Sequence, residues 1–136
     1  MEIVAALFID SIDVTPPVAP GGPTKLELGG VHFSALAPSP PPFTVAPHLV
    51  VVVRCRPDEP GTGALEVVFT LDDEQIARNA QPLSVEPGKF SYRLVRAELD
   101  LDRLATVEAL CRIDGGPVTT VPYTLLPPGE AAEPPL

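Results

Sequence analysis

Leu49-Val50-Val51-Val52-Val53-Arg54-Cys55-Arg56 is the stretch on which the fold turns. β-Branched residues fill it, Pro47 and Pro57 bound it, and its eight residues suit a strand rather than a helix. Strand geometry sends Leu49, Val51, Val53 and Cys55 to one face, and His48, Val50, Val52, Arg54 and Arg56 to the other. The first face is wholly apolar. The second is apolar in its middle and basic at one end. This pattern marks a central strand of an antiparallel β-fold around which the rest of the chain packs.

Working outward, residues 2–14 read as a first strand with Ile3, Ala5, Leu7 and Ile9 on one face and Val4, Ala6 and Phe8 on the other. A strand apolar on both faces is central or covered. Residues 15–23 (TPPVAPGGP) are a loop by composition. Strand character returns at 24–35, where Gly29-Gly30 switches the apolar parity from Leu26 and Leu28 to Val31 and Phe33, as a bulge or tight turn does. Residues 37–47 (APSPPPFTVAP) are extended, and read as a stiff crossover between sheets. Leu65, Val67, Phe69 and Leu71 alternate after a DEPGTG turn and are expected to form a hairpin with 49–56, placing Arg54 and Arg56 opposite Glu66. Asp72-Asp73-Glu74 is an acidic turn without calcium-loop spacing. Further strands are expected near 76–78, 90–95, 107–113 and 118–126, the last two joined by an Asp114-Gly115-Gly116-Pro117 hairpin turn.

With 136 residues, 19 prolines and no Trp, the chain is expected to form one domain over 1–126 followed by a Pro-rich tail over 127–136. Pro is confined to turns, edges and tails of a β-protein. The expected fold is all-β, an immunoglobulin-like antiparallel β-sandwich of about seven to nine strands, with a small β-barrel as the alternative. A net charge of −9 argues against nucleic acid and against anionic membrane surfaces. No run approaches the roughly twenty apolar residues of a membrane-spanning helix. The N-terminal run begins with an acid and lacks a basic region, so it reads as a strand, and a cytoplasmic setting is expected. Cys55 and Cys111 both fall on apolar strand faces and are expected as buried free thiols, with an inter-sheet bridge as the alternative.

Motifs for chemistry are scarce. His32 and His48 stand alone, no metal-ligand spacing occurs, and no cofactor is expected. Asp10, Ser11 and Asp13 have no base near them in sequence, and Asp100 and Asp102 lack the aromatic platforms of a sugar site. The expectation is a non-catalytic interaction or assembly module, not an enzyme. A small-ligand binder is the first alternative and an enzyme without a recognisable motif the second. The lead comes from apolar residues at the parity a wet sheet face would make polar: Val4, Phe8, Val50, Val52 and Val68, with Ala6, Val95 and Leu110. Pro-rich segments of the same chain cover them, or another chain does. A two-fold homodimer through one outer sheet face is the expected assembly, with another protein partner as the alternative.

Two fragments, Ala6-Leu7-Phe8-Ile9-Asp10-Ser11 and Leu28-Gly29-Gly30, resemble the opening of a family of short actinobacterial proteins of unknown function. Leu71-Asp72-Asp73-Glu74 and Ile113-Asp114-Gly115-Gly116 are similar to later parts of its pattern, although Ile9 replaces the usual Ala and only two glycines adjoin. The resemblance implies a β-sandwich and carries over no functional residue.

Overall fold

A computed structural model describes residues 1–129; the proline-rich segment from 130 onward, part of the expected tail, lies outside the described residues. Strand follows strand: β1 (Glu2–Ile9), β2 (Ser11–Thr15), β3 (Lys25–Gly29), β4 (Ser34–Leu36), β5 (Phe43–Val45) and β6 (His48–Arg54). Then come β7 (Thr62–Leu71), β8 (Glu74–Ser84), β9 (Phe90–Arg96), β10 (Leu99–Leu101), β11 (Thr106–Ile113) and β12 (Thr119–Leu126). No helix occurs among the described residues.

One main sheet is ordered β1-β6-β9 and the other β4-β12-β11-β7-β8, and neither closes into a barrel. The fold is therefore a β-sandwich. The two main sheets hold eight strands, and the short pairs β2-β3 and β5-β10 raise the total among the described residues to twelve. Prolines bound one of the extra pieces, since Pro42 and Pro47 flank β5, whereas β2 and β10 follow breaks at Asp10 and at Ala97-Glu98. Residues 37–47 do cross between sheets, with β5 formed on the way.

β6 is central to its sheet, flanked by β1 and β9 on its two sides. Its Leu49, Val51 and Val53, with Cys55 just beyond, are at most 1% exposed and enter the core as the pattern requires. Leu65, Val67 and Phe69 of β7 and Val107, Ala109 and Cys111 of β11 meet them from the other sheet. Each Leu or Val so buried contributes roughly 1.5–3 kcal/mol before conformational entropy is set against it. Both cysteines are buried and free.

The expected pairing of 49–56 with 65–71 does not form, because β6 and β7 belong to different sheets. Arg54 and Arg56 instead face Glu2 of β1, at 3.4 and 3.8 Å. Glu66 pairs with Arg78 on β8, at 2.7 Å, and lies 3.8 Å from Arg112 on β11. Residues 2–14 are likewise two strands. They break at Asp10, where the chain leaves the β1 sheet to form the β2-β3 hairpin.

Candidate binding cleft

The five residues expected to form an outer face are not brought together. Along β1 the register runs Ile3↔Val53 and then Ala5↔Val52, so Val4 is the extra residue of a β-bulge. The bulge resets parity. Ile3 packs on the core, whereas Ala5, Leu7 and Ile9 share the outer face with Val52, Val50 and His48. Phe8 consequently faces inward, 0% exposed, with its ring 4.7 Å from that of Tyr123. Its expected place on an outer surface is corrected, as is that of Ala6, which joins the core beside Val51. Val95 is corrected in the same way: it is buried in the core, and its strand turns Phe90, Tyr92 and Leu94 outward.

Val4 protrudes, 59% exposed. Val52 is half-buried on the outer face of the three-stranded sheet. Val68 is half-buried on the far side of the molecule, beside Leu110 and framed by Glu66, Arg78 and Arg112. Val50 is 0% exposed and Ile9 only 3%, although neither belongs to the central core. Something of the same chain covers them.

That cover is the β2-β3 hairpin. Its register, Ile12↔Leu28 and Val14↔Leu26, gathers four apolar side chains on one face and leaves Asp13, Glu27 and Lys25 on the other. The 15–24 loop and Leu26 line a cleft with Phe90, Ser91 and Tyr92 of β9, which sets the hairpin across the outer face. Gly30 makes this possible: its φ of +64° turns the chain back, and a Cβ there would collide with the Asp10 carboxylate.

The cleft has a volume of about 610 Å³. One wall is Pro17, Gly21, Gly22, Pro23, Thr24 and Leu26, and the other runs from Gly88 to Tyr92. Phe90 is 57% exposed and Leu94, next on the same parity beyond Tyr92, is 47% exposed. Two carbonyls of the β9 wall are engaged within the chain. The carbonyls of Lys89 and Tyr92 already accept from the Cys55 N–H and the Arg93 guanidinium. Lys89 keeps an exposed ammonium, 3.0 Å from Glu86, and Arg54 lies across the ladder from Phe90. The cleft offers aromatic faces with two cations beside it.

Two other clusters satisfy themselves. A depression of about 580 Å³ between Phe43, Leu71, Ile76 and Leu101 has an acidic rim. There Thr44 donates to Asp100 at 2.5 Å, and Arg103 reaches Asp72 and Asp102 at 2.5 and 2.9 Å. The bond to Asp72 raises the Arg103 pKa further. At the β1-β12 edge, His32 stands 3.7 Å from Asp10, bonds the Gly30 carbonyl at 2.7 Å and packs on Tyr123, ring centroids 5.8 Å apart. Burial, with Asp10 nearby, raises the Tyr123 pKa. So Asp10 does have a base beside it, across a turn the sequence did not reveal. Among the described residues no hydrogen bond joins Ser11 to His32, and the pair ties the strand edge rather than forming a nucleophile site.

Of the cleft residues, sequence reading found the 15–23 loop as a possible cover but gave no role to Phe90, Tyr92 or Lys89. The available signal was Phe90, Tyr92 and Leu94 on one parity of a strand whose other parity carries Ser91 and Arg93. No family model matches the chain, and no curated protein matches it. No helix among the described residues is long and apolar enough to cross a membrane.

Proposed function

We propose that the protein is a non-catalytic interaction module that engages a polypeptide partner through the cleft between the β2-β3 hairpin and β9. The observation that carries this reading is the exposed Phe90, standing with Tyr92 against a wall of proline and glycine. Aromatic side chains beside a depression are the usual anchors of protein interfaces. The hairpin closes the part of that sheet face that holds Val50 and Ile9, and the aromatic surface of β9 stays open beside it. A cytoplasmic setting fits the two free buried thiols, which a reducing compartment preserves. The volume also falls in the range of small-ligand sites, which makes a small-ligand binder the second reading.

A photo-crosslinking residue at position 90, compared with one at exposed Thr106 on the opposite sheet, tests the proposal. A discrete polypeptide adduct, identified by mass spectrometry, is expected from position 90 and not from 106. No adduct at 90, or equal adducts at both positions, overturns it.

A further inference from the structure

The capped strand edge of β9 and its exposed aromatic rings select the ligand of the cleft. A partner strand added at β9 needs free carbonyls along that edge. Those of Tyr92, Leu94 and Arg96 instead accept from Arg93 at 2.8 Å, Gln81 at 3.2 Å and Asn79 at 3.3 Å. Strand addition is therefore blocked. A ligand that suits the cleft binds without extending a strand ladder and presents flat apolar rings. Proline does both: it lacks the N–H that a ladder needs and stacks on aromatic rings. The cations beside the cleft, Lys89 and Arg54, add a preference for carboxylates.

The chain carries such a segment. Residues 127–136 (PPGEAAEPPL) hold four prolines and two glutamates. The described chain ends at Gly129, where an added Cβ would stand 3.0 Å from Leu36, at the end of β12. The cleft lies at the opposite end of the sandwich. Phe90 is across from Arg54, which is across from Glu2, and Glu2 shares a surface depression with Thr119 at the start of β12. Seven residues reach at most about 24 Å, little more than the length of β1 alone, and the path also passes around to the other sheet. The segment does not reach its own cleft.

We infer that residues 130–136 of a second copy occupy this cleft, their prolines on Phe90 and Tyr92 and their glutamates toward Lys89 and Arg54. Reciprocal exchange of the two segments closes a two-fold pair, in which each weak contact raises the effective concentration of the other. This inference rests on the cleft being the interaction site.

The test titrates full-length protein with the acetylated peptide PPGEAAEPPL and follows backbone amide shifts. Saturable shifts confined to residues 17–26 and 88–94 are expected. Phe90→Ser, at an exposed position, should weaken binding about tenfold, the usual loss on truncating an aromatic anchor. Lys89→Glu should weaken it about threefold, one exposed charge pair's worth, and a peptide with both glutamates changed to lysine should recover that loss. Light scattering should show full-length protein pairing with rising concentration while a chain ending at Gly129 stays monomeric. Absence of cleft shifts at millimolar peptide, or undiminished binding by a folded Phe90→Ser variant, overturns the inference. If the peptide fails while the crosslinker at position 90 still captures an identified protein, the occupant is wrong and the cleft reading stands. If both fail, both fall.

Discussion

Cys111 is fully buried on β11, and desolvation of the thiolate pushes its pKa up to about 11. An unfolded chain ionises the same thiol near 9.0. Between those values the unfolded state holds fewer protons, so stability falls as pH rises. It is whole below pH 9 and lost progressively toward 11, by about 3 kcal/mol at most. Urea midpoints measured from pH 8 to 10.5 should decline, and Cys111→Ala should flatten the slope while lowering the whole curve. Parallel slopes in the two proteins would refute the assignment. Glu59 works in the opposite sense. It accepts from the Met1 ammonium and from the Arg56 N–H at 3.1 Å, and these bonds hold its carboxyl below the ordinary range. Its contribution is present above about pH 4.5, the unfolded value, and disappears as pH falls through the folded one. Thermal melts should separate wild type from Glu59→Gln at pH 7 and the gap should narrow as pH falls below 4.5; a gap of constant width would show that the carboxylate's charge plays no part. Neither effect was legible in sequence: the largest cause for Glu59 is Met1, 58 positions away, and the burial of Cys111 comes from the packing of one sheet on the other.

Strands and their turns were legible where period and punctuation agreed. The β11-β12 hairpin and its Asp114-Gly115 turn, both residues at positive φ, follow directly from the alternation on either side. Inward parity was legible for β6, whose two faces differ, but not for β1 or β9. In β1 both faces are apolar and Val4 adds a bulge. In β9 the aromatic residues point outward and only Val95 is fully buried. Nor did the sequence show how the β9 edge is closed. Asn79 and Gln81 stand opposite Val67 and Leu65 on β8, at an inward parity where apolar residues are expected, and their amides cap β9 carbonyls in the facing sheet. Polar residues at such positions read as breaks in a strand when they are in fact its closure. Replacing both with Val removes two hydrogen bonds worth about 1 kcal/mol each and reopens a strand edge for intermolecular pairing. Chemical denaturation should show a loss near 2 kcal/mol, and turbidity on standing should rise steeply with concentration. A double variant as stable and clear as wild type would mean that the caps are incidental.

At the scale of the molecule, the sandwich is one cooperative body to which the β2-β3 hairpin is added as a cover. The hairpin shares no ladder with either main sheet. Its base is held by Asp10 N–H to the Gly29 carbonyl, 2.9 Å, and by His32 N–H to the Phe8 carbonyl, 3.0 Å. The rest of its hold is apolar, from half-buried Ile12, Leu26 and Leu28 over the face that contains Val50 and Ile9. Local pattern showed that this face needed a cover. It could not say whether the same chain or another supplies it, because both arrangements bury the same residues at the same parity. A cover tied this lightly opens without breaking the core, at a free energy below that of global unfolding. Native-state hydrogen exchange should therefore give the amides of 11–15 and 25–29 an opening energy at least about 2 kcal/mol below that of 49–53 and 107–113. Leu26→Ala should lower the hairpin value by about 1–2 kcal/mol, as expected for a half-buried leucine, and leave β11 unchanged. Opening uncovers Val50, so the same variant should bind a hydrophobic dye that wild type excludes. Hairpin amides that exchange only with the whole molecule would make β2-β3 part of the core unit and remove the distinction between sandwich and cover.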